Sequence, residues 1–389
     1  MAGSQFGKIF HISTFGESHG KALGVVVDGC PAGLSLSEED IQEMLERRRP
    51  GKNLKMTQRR EGDKVEILSG IFEGKTTGTP IAMVVWNEDQ RSKDYGEIAH
   101  AFRPGHADYG FFAKYGFRDY RGGGRSSGRE TIARVAAGAI AKKMLLELGV
   151  SVRAKVIELA GISLTEDRQK AELLAEQKIL SLREQGDSAG GVVECLVEGL
   201  PAGIGEPVFD KLDASLAKAV MSIGAVKSVE IGDGIEVSKS LGSENNDAFF
   251  LRKEQESEME ENDYESEEKE RDAAGKESCP HSLIEGTTSF EGKLKKGSNH
   301  SGGILGGMSD GSTIRIRAGF KPTPSISKPQ QTVNEAGEEI TIAIKGRHDP
   351  TVVERANVVV EAMTALTVLD AMLENLSARL DYVKRAYRR

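Results

Sequence analysis

Alternating apolar and polar positions over residues 64–68, 81–86 and 312–317 predict strands with one face in a core. Helical periodicity is clearest over 131–148, where Ile132, Val135, Ala136, Ala139 and Ile140 recur at helical spacing and Gly149 supplies the stop. Residues 351–376 predict a second long helix, with Asp349 as its N-cap and Pro350 at its first position. A third is predicted over 38–49, where Ser37 is the N-cap and Asp40 follows three residues on. Small residues along the two long helices let them pack closely at the centre. Strands clustered between helices then predict an α+β fold, a sandwich of central helices between antiparallel sheets, rather than strict βαβ alternation.

The chain also repeats itself. Residues 16–34 (GESHGKALGVVVDGCPAGL) align without a gap on 186–204 (GDSAGGVVECLVEGLPAGI), with 8 of 19 positions identical at an offset of 170. Each copy predicts a strand, a Gly-Pro turn and a helix, and Pro207 stands where the second helix would begin. Further on, Phe102-Arg103-Pro104 resembles Phe320-Lys321-Pro322, and Gly124-Arg125 before one long helix resembles Gly346-Arg347 before the other. The expected organisation is one large domain of two related halves, about 1–150 and 185–380, with an insertion at 247–297.

Composition localises the charge. Of the net charge of -8, residues 254–272 alone carry -9 (11 acidic, 2 basic), so the remainder sums to about +1. That run is expected to be a solvated loop, with an acidic interaction tail as the alternative. Arginines crowd two other segments, Arg47 to Arg49 and Arg118 to Arg134, which predicts a positive groove for a polyanion. The strongly apolar stretches read as shorter than a bilayer span, and the N-terminus has no export signal, so a cytoplasmic protein without a membrane partner is expected. Cys30, Cys195 and Cys279 lie in no CxxC and are read as packing thiols.

The segment Arg121-Gly122-Gly123-Gly124-Arg125-Ser126-Ser127-Gly128-Arg129 leads into the helix at 131. Glycines that let backbone approach a ligand, two hydroxyls, helix N–H groups and three arginines make it an anion-binding design, against the plainer reading of a glycine turn capped by Ser127. His19 has Ala189 as its counterpart in the repeat, so the local fold accepts a methyl group there, which favours proton transfer over packing. His106 lies in a loop beside the arginines, and His300 is in an SNHSGG segment of intermediate interest. Residues 70–76 (GIFEGKT) are one residue short of a P-loop, no GxGxxG occurs, and no metal-ligand spacing is found.

These segments resemble the chorismate synthase family: GESHGKALGVVVDGCP (16–31), RGGGRSSGRETIARVAAGA (121–139) and GRHDPTVVERAN (346–357), supported by FRPGHAD (102–108), SNHSGGILGG (298–307) and FKPTPSIS (320–327). The resemblance implies conversion of 5-enolpyruvylshikimate 3-phosphate into chorismate and phosphate by anti-1,4-elimination. It also implies a requirement for reduced FMN without net redox change, and a homotetramer. It places Arg48, Arg103, Arg129 and Arg347 on the substrate, and Arg125, Ser126, Ser127, Gly224, Ala225, Gly306, Lys321, Pro322, Thr323, Pro324, Ser325 and Arg347 around FMN. His19 is similar to the histidine that assists phosphate departure, His106 to the one that protonates reduced flavin, and Ser18 with Asp349 to a proton relay. Leu54 stands where many members have a basic residue. Members differ in whether they reduce FMN with NADPH themselves. A nucleic-acid-binding protein is the other class considered, and 5% aromatic content with no basic run interleaved with stacking residues argues against it. A polyanion-binding regulator without catalysis is the third.

Overall fold

The computed structural model describes residues 3–49, 62–87, 99–121, 123–251, 294–344 and 349–388. Leu54, Arg347, Cys279 and the acidic run at 254–272 lie outside the described residues. Contacts divide the chain into two units, Met1–Ile231 with Gly303–Arg389, and Gly232–Gly302.

The larger unit holds two antiparallel sheets of five strands. In the first, β1 (Gln5–Phe6), β2 (His11–Gly16), β3 (Ala22–Asp28), β4 (Val65–Ile67) and β5 (Ile81–Trp86) lie in the order β1-β2-β3-β5-β4. In the second, β6 (Ser151–Leu159), β7 (Ile162–Ser163), β8 (Gly191–Glu198), β9 (Val226–Ile231) and β10 (Ile314–Phe320) lie in the order β9-β10-β8-β6-β7. Period-two patterning decides which face is buried. Leu23, Val25 and Val27 of β3 and Ile314, Ile316 and Ala318 of β10 have no exposed surface. Residues 71–76, the rejected phosphate loop, form a hairpin.

Between the sheets run helices α1 (Glu38–Arg48), α3 (Thr131–Glu147), α5 (Leu212–Met221) and α6 (Val353–Asn375), with α2 (Asp108–Tyr115) and α4 (Arg168–Glu184) elsewhere in the unit. The α3 helix lies on the first sheet, α6 on the second, and the two pack on each other. The α+β sandwich with central helices is therefore the fold. The α6 helix is apolar enough over 18 residues to suit a membrane span, which the reading of short apolar stretches missed. Yet 78% of that window is buried inside the protein, as in a core helix.

The close approach of α3 and α6 depends on Gly138. A Cβ there would lie 2.4 Å from Ala362 Cβ and 2.7 Å from its Cα. Helix propensity favours alanine over glycine by about 1 kcal/mol, but overpacking a core costs about 1–3 kcal/mol. Gly138→Ala should therefore lower the melting temperature, whereas a rise would show that the helices can separate freely.

The two aligned segments share a backbone feature at one glycine. Gly29 and Gly199, paired by the repeat, have φ of +79° and +78°, and a Cβ would meet Ile9 O and Gly149 O respectively. The helix of the second copy starts at Leu212, not at Pro207. Ile204 donates to Ser309 Oγ (2.9 Å), Gly205 bridges to Met308 and Leu212 N donates to Gly307 O (2.8 Å), so the 304–309 hairpin holds the chain on both sides of the proline, which lies in bends and turns. At α1 the expected capping box is present, with Ser37 N donating to Asp40 (2.8 Å). At α6 the expected cap is not, because Asp349 binds Arg355 (2.5 Å) and the helix begins only after Val352.

In the smaller unit, the ends of the insertion pair as strands Phe249–Leu251 and Leu294–Lys296. Asp247 accepts from Ser298, Ser301 and the backbone of His300, and His300 contacts Asp233 at 2.6 Å. Cys30 and Cys195 are buried, and burial pushes their thiols up to about 11 and about 12, which suits packing rather than reactivity.

Candidate active site

The turn between β2 and β3 carries Ser18 and His19. Ser18 is buried with Oγ 3.2 Å from His19 Nδ1, and His19 is half-buried. The end of β5 fixes this turn: Asn87 Nδ2 donates to Glu17 O (3.1 Å) and Gly20 O (2.8 Å). Asn87 Oδ1 in turn accepts from Arg129 Nε at 2.7 Å. Arg129 also donates to Asp63 Oδ1 (2.9 Å), whose other oxygen accepts from Arg48 at 2.8 Å. Arg48, at the end of α1, is 2% exposed. Burial pulls its pKa below the usual arginine value, against the pull of Asp63. Its carbonyl accepts from Arg355, the partner of Asp349.

One network thus joins Ser18, His19, Arg129, Arg48 and Asp349, from four separate stretches of chain. Asn87, Asp63 and Arg355, which complete it, were not singled out in the sequence. Asp63 had one local signal, an acid immediately ahead of the predicted strand at 64–68, and Asn87 had none.

A second group forms where the 103–108 loop meets residues 321–325. His106 Nε2 lies 2.8 Å from Ser325 Oγ and Nδ1 3.0 Å from Pro104 O. Lys321 Nζ donates to Gly105 O (2.8 Å), and a Cβ at Gly105 would lie 2.7 Å from Pro324 Cβ. Burial, with Arg103 nearby, lowers the His106 pKa to about 4, so the imidazole is neutral at pH 7. Arg103 is buried and gripped by Asp108 through Nε (2.7 Å) and Nη2 (2.8 Å). Lys321 N donates to Ala225 O, and Ala225 has a φ of +74°, unusual for a residue with a side chain. Thr323 Oγ1 is buried without a hydrogen-bond partner among the described residues, and Ser188 of the second repeat copy donates to Thr323 O (2.7 Å). The hairpin carrying Gly306 pairs with Gly205 and accepts from Leu212 N.

The glycine-rich segment leads directly into α3. It forms two 3₁₀ turns, Gly124–Ser126 and Gly128–Glu130, in which the N–H groups of Ser126, Ser127 and Glu130 bond within the turns. Ser127 Oγ accepts from Arg129 N and Ser126 Oγ donates to Gly123 O. Arg125 reaches β2, donating to Gly16 O (3.2 Å) and Thr14 Oγ1 (2.6 Å). Three of the clustered arginines are paired with acids: Arg47 binds Glu361, Arg121 binds Asp119 and Arg134 binds Glu130. A cavity of about 1040 Å³ beside this segment is lined by Glu17, Gly124, Arg125, Ser126, Arg134 and others.

The comparisons agree with one another. The family model described as Chorismate synthase matches residues 10–373. Chorismate synthases of Lachnoclostridium phytofermentans and Lachnospira eligens are 55% and 53% identical over 408 aligned positions, covering 100% of each chain. That of Methanosarcina mazei is 50% identical over 96% of this chain and 97% of its own. A solved structure described as a crystal structure of chorismate synthase superposes with a TM-score of 0.69 at 28% identity, covering 98% of this chain and 97% of that one.

Proposed function

Since the chain belongs to the chorismate synthase family, we propose that it eliminates phosphate from 5-enolpyruvylshikimate 3-phosphate to give chorismate, with reduced FMN as cofactor. The observation that carries this reading is the buried Arg48–Asp63–Arg129 network tied through Asn87 to the Ser18–His19 turn. It links two guanidiniums, suited to carboxylate and phosphate, to the turn that carries Ser18 and His19. Each reaction removes one C6 proton and the C3 phosphate, so the bonds balance without electrons. His19 donates a proton or strong hydrogen bond to the departing phosphate oxygen. Ser18 Oγ, against His19 Nδ1, orients that ring, and Asp349 lies on the same network through Arg355.

The residues at 321–325 fit a flavin phosphate and ring edge. Thr323 Oγ1 has a hydrogen bond still to make, Lys321 brings positive charge, and the Gly224-Ala225 turn presents backbone beside them. Arg125, Ser126 and Ser127 would adjoin the same ligand. When bound, reduced FMN supplies electron density and a base to the elimination. His106 is neutral here, so its role as a proton donor requires negative charge beside it, which would raise its pKa. We place the family's homotetramer with this proposal as the expected assembly.

The test is anaerobic incubation with substrate and reduced FMN. Chorismate and phosphate should form one for one, with many turnovers per flavin. Oxidation of one flavin per product, or no chorismate at all, would overturn the reading.

A further inference from the structure

We propose that Asp63 is a positioning residue that sets the spacing and orientation of Arg48 and Arg129, making the two guanidiniums one preassembled anion clamp. The inference rests on the reading of these arginines as substrate ligands. Each carboxylate oxygen takes one arginine, Oδ2 from Arg48 (2.8 Å) and Oδ1 from Arg129 (2.9 Å), so the rigid carboxylate fixes the distance between them. Its side chain has no exposed surface, and the pair therefore interacts with little solvent screening.

Two cations around one anion leave a net positive charge for an anionic ligand. Without the anion, the buried guanidiniums would repel each other and turn apart. Arg48 Nε is buried with no partner among the described residues, and the guanidinium is held there by its outer nitrogens. The backbone around Asp63 is held as well. Its φ is +44°, a region where aspartate is tolerated better than most residues. Gln42 of α1 clamps the backbone just after it, donating to Asp63 O (3.3 Å) and accepting from Val65 N (3.1 Å). The helix that ends in Arg48 thus also fixes the residue that orients Arg48. Asn87 grips the outer side of Arg129, which leaves Asp63 as the group shared by both arginines.

Two substitutions separate position from charge. Asp63→Glu keeps the charge but moves it by a methylene, and Asp63→Asn keeps the shape but removes the charge. Binding of 5-enolpyruvylshikimate 3-phosphate by calorimetry should weaken at least about tenfold in both. KM should rise in step and kcat should stay within a few-fold at saturation, as expected when binding common to ground and transition states is lost. A variant that is merely loosened would instead lose melting temperature with KM unchanged. Should Asp63→Asn fail to fold, Asp63→Glu carries the test alone. Substrate affinity within about twofold of the parent in a folded variant, or a fall in kcat at constant KM, overturns the inference. A parent protein that neither binds nor turns over the substrate overturns the functional reading, and this inference with it.

Discussion

His19→Ala should lose about 10²- to 10⁴-fold in turnover, the range for removing a general acid, and should melt close to the parent. The stability half of this expectation comes from the duplication. Ala189 occupies the matching position in the second copy, in the short stretch that leads into β8, with its N–H bonded to Pro350 O at 2.9 Å. A methyl group therefore suffices for the local fold. The half-buried ring of His19 is bonded to Ser18 and is not a core side chain, so the truncation should cost less than the 2–5 kcal/mol or so of a large core deletion. The rate half comes from the neighbourhood. The turn is fixed by Asn87, which also holds Arg129, so the turn backbone and the arginines keep their relation when the ring is removed. Melting curves and anaerobic turnover decide between the roles: a variant that melts far earlier yet turns over normally at low temperature would make His19 a packing residue.

The largest loss of stability is expected at Glu361. This carboxylate sits in the middle of α6, 1% exposed, and accepts from Arg47 twice (2.7 and 2.9 Å), from Lys142 (2.5 Å) and from Ala154 N (2.9 Å). It therefore ties α1, α3 and β6 to the central helix. Breaking a buried pair by removing one partner costs about 3–5 kcal/mol. Arg47 and Lys142 are partly exposed and can turn to water, but the Ala154 N–H cannot, so Glu361→Ala should fall within that range.

The pH dependence has a defined sign. Burial alone would raise the Glu361 pKa, but Arg47 and Lys142 overcome it and hold it below the ordinary 4.5. A depressed folded-state pKa gives stability that is present above the unfolded value and lost as pH falls through the folded one. Denaturation of the parent should show that acid-side loss, and Glu361→Gln should show less of it. An unchanged denaturation midpoint in Glu361→Ala would mean that the helices are held by apolar packing alone.

Much of this molecule follows from local rules. The capping box at Ser37, the stop at Gly149, the period-two strands and the paired glycines at 29 and 199 depend on neighbours a few residues away, so the sequence determines them directly. The duplication is legible for the same reason, since both copies must solve the same turn. His19 stood out because the repeat supplied its own alanine control.

Local rules failed where a distant partner outbid the near one. Asp349 has the position of an N-cap, yet a guanidinium six residues on takes its carboxylate, because a charge-assisted bond outweighs a neutral backbone contact. Glu361 could have been flagged as an acid within an otherwise apolar helix, since a buried charge must be paired, but its partners lie on three other elements. Asp63 and Asn87 have no motif at all. They acquire their roles only when sheet register brings the ends of β4 and β5 beside the start of α3, because the geometry of a buried ionic cluster is set by which backbones are neighbours in space. Sequence alone determined the layers, the repeat and the chemical types available. Tertiary structure decided which arginines share one carboxylate, because that depends on distances of a few ångströms between segments far apart in the chain.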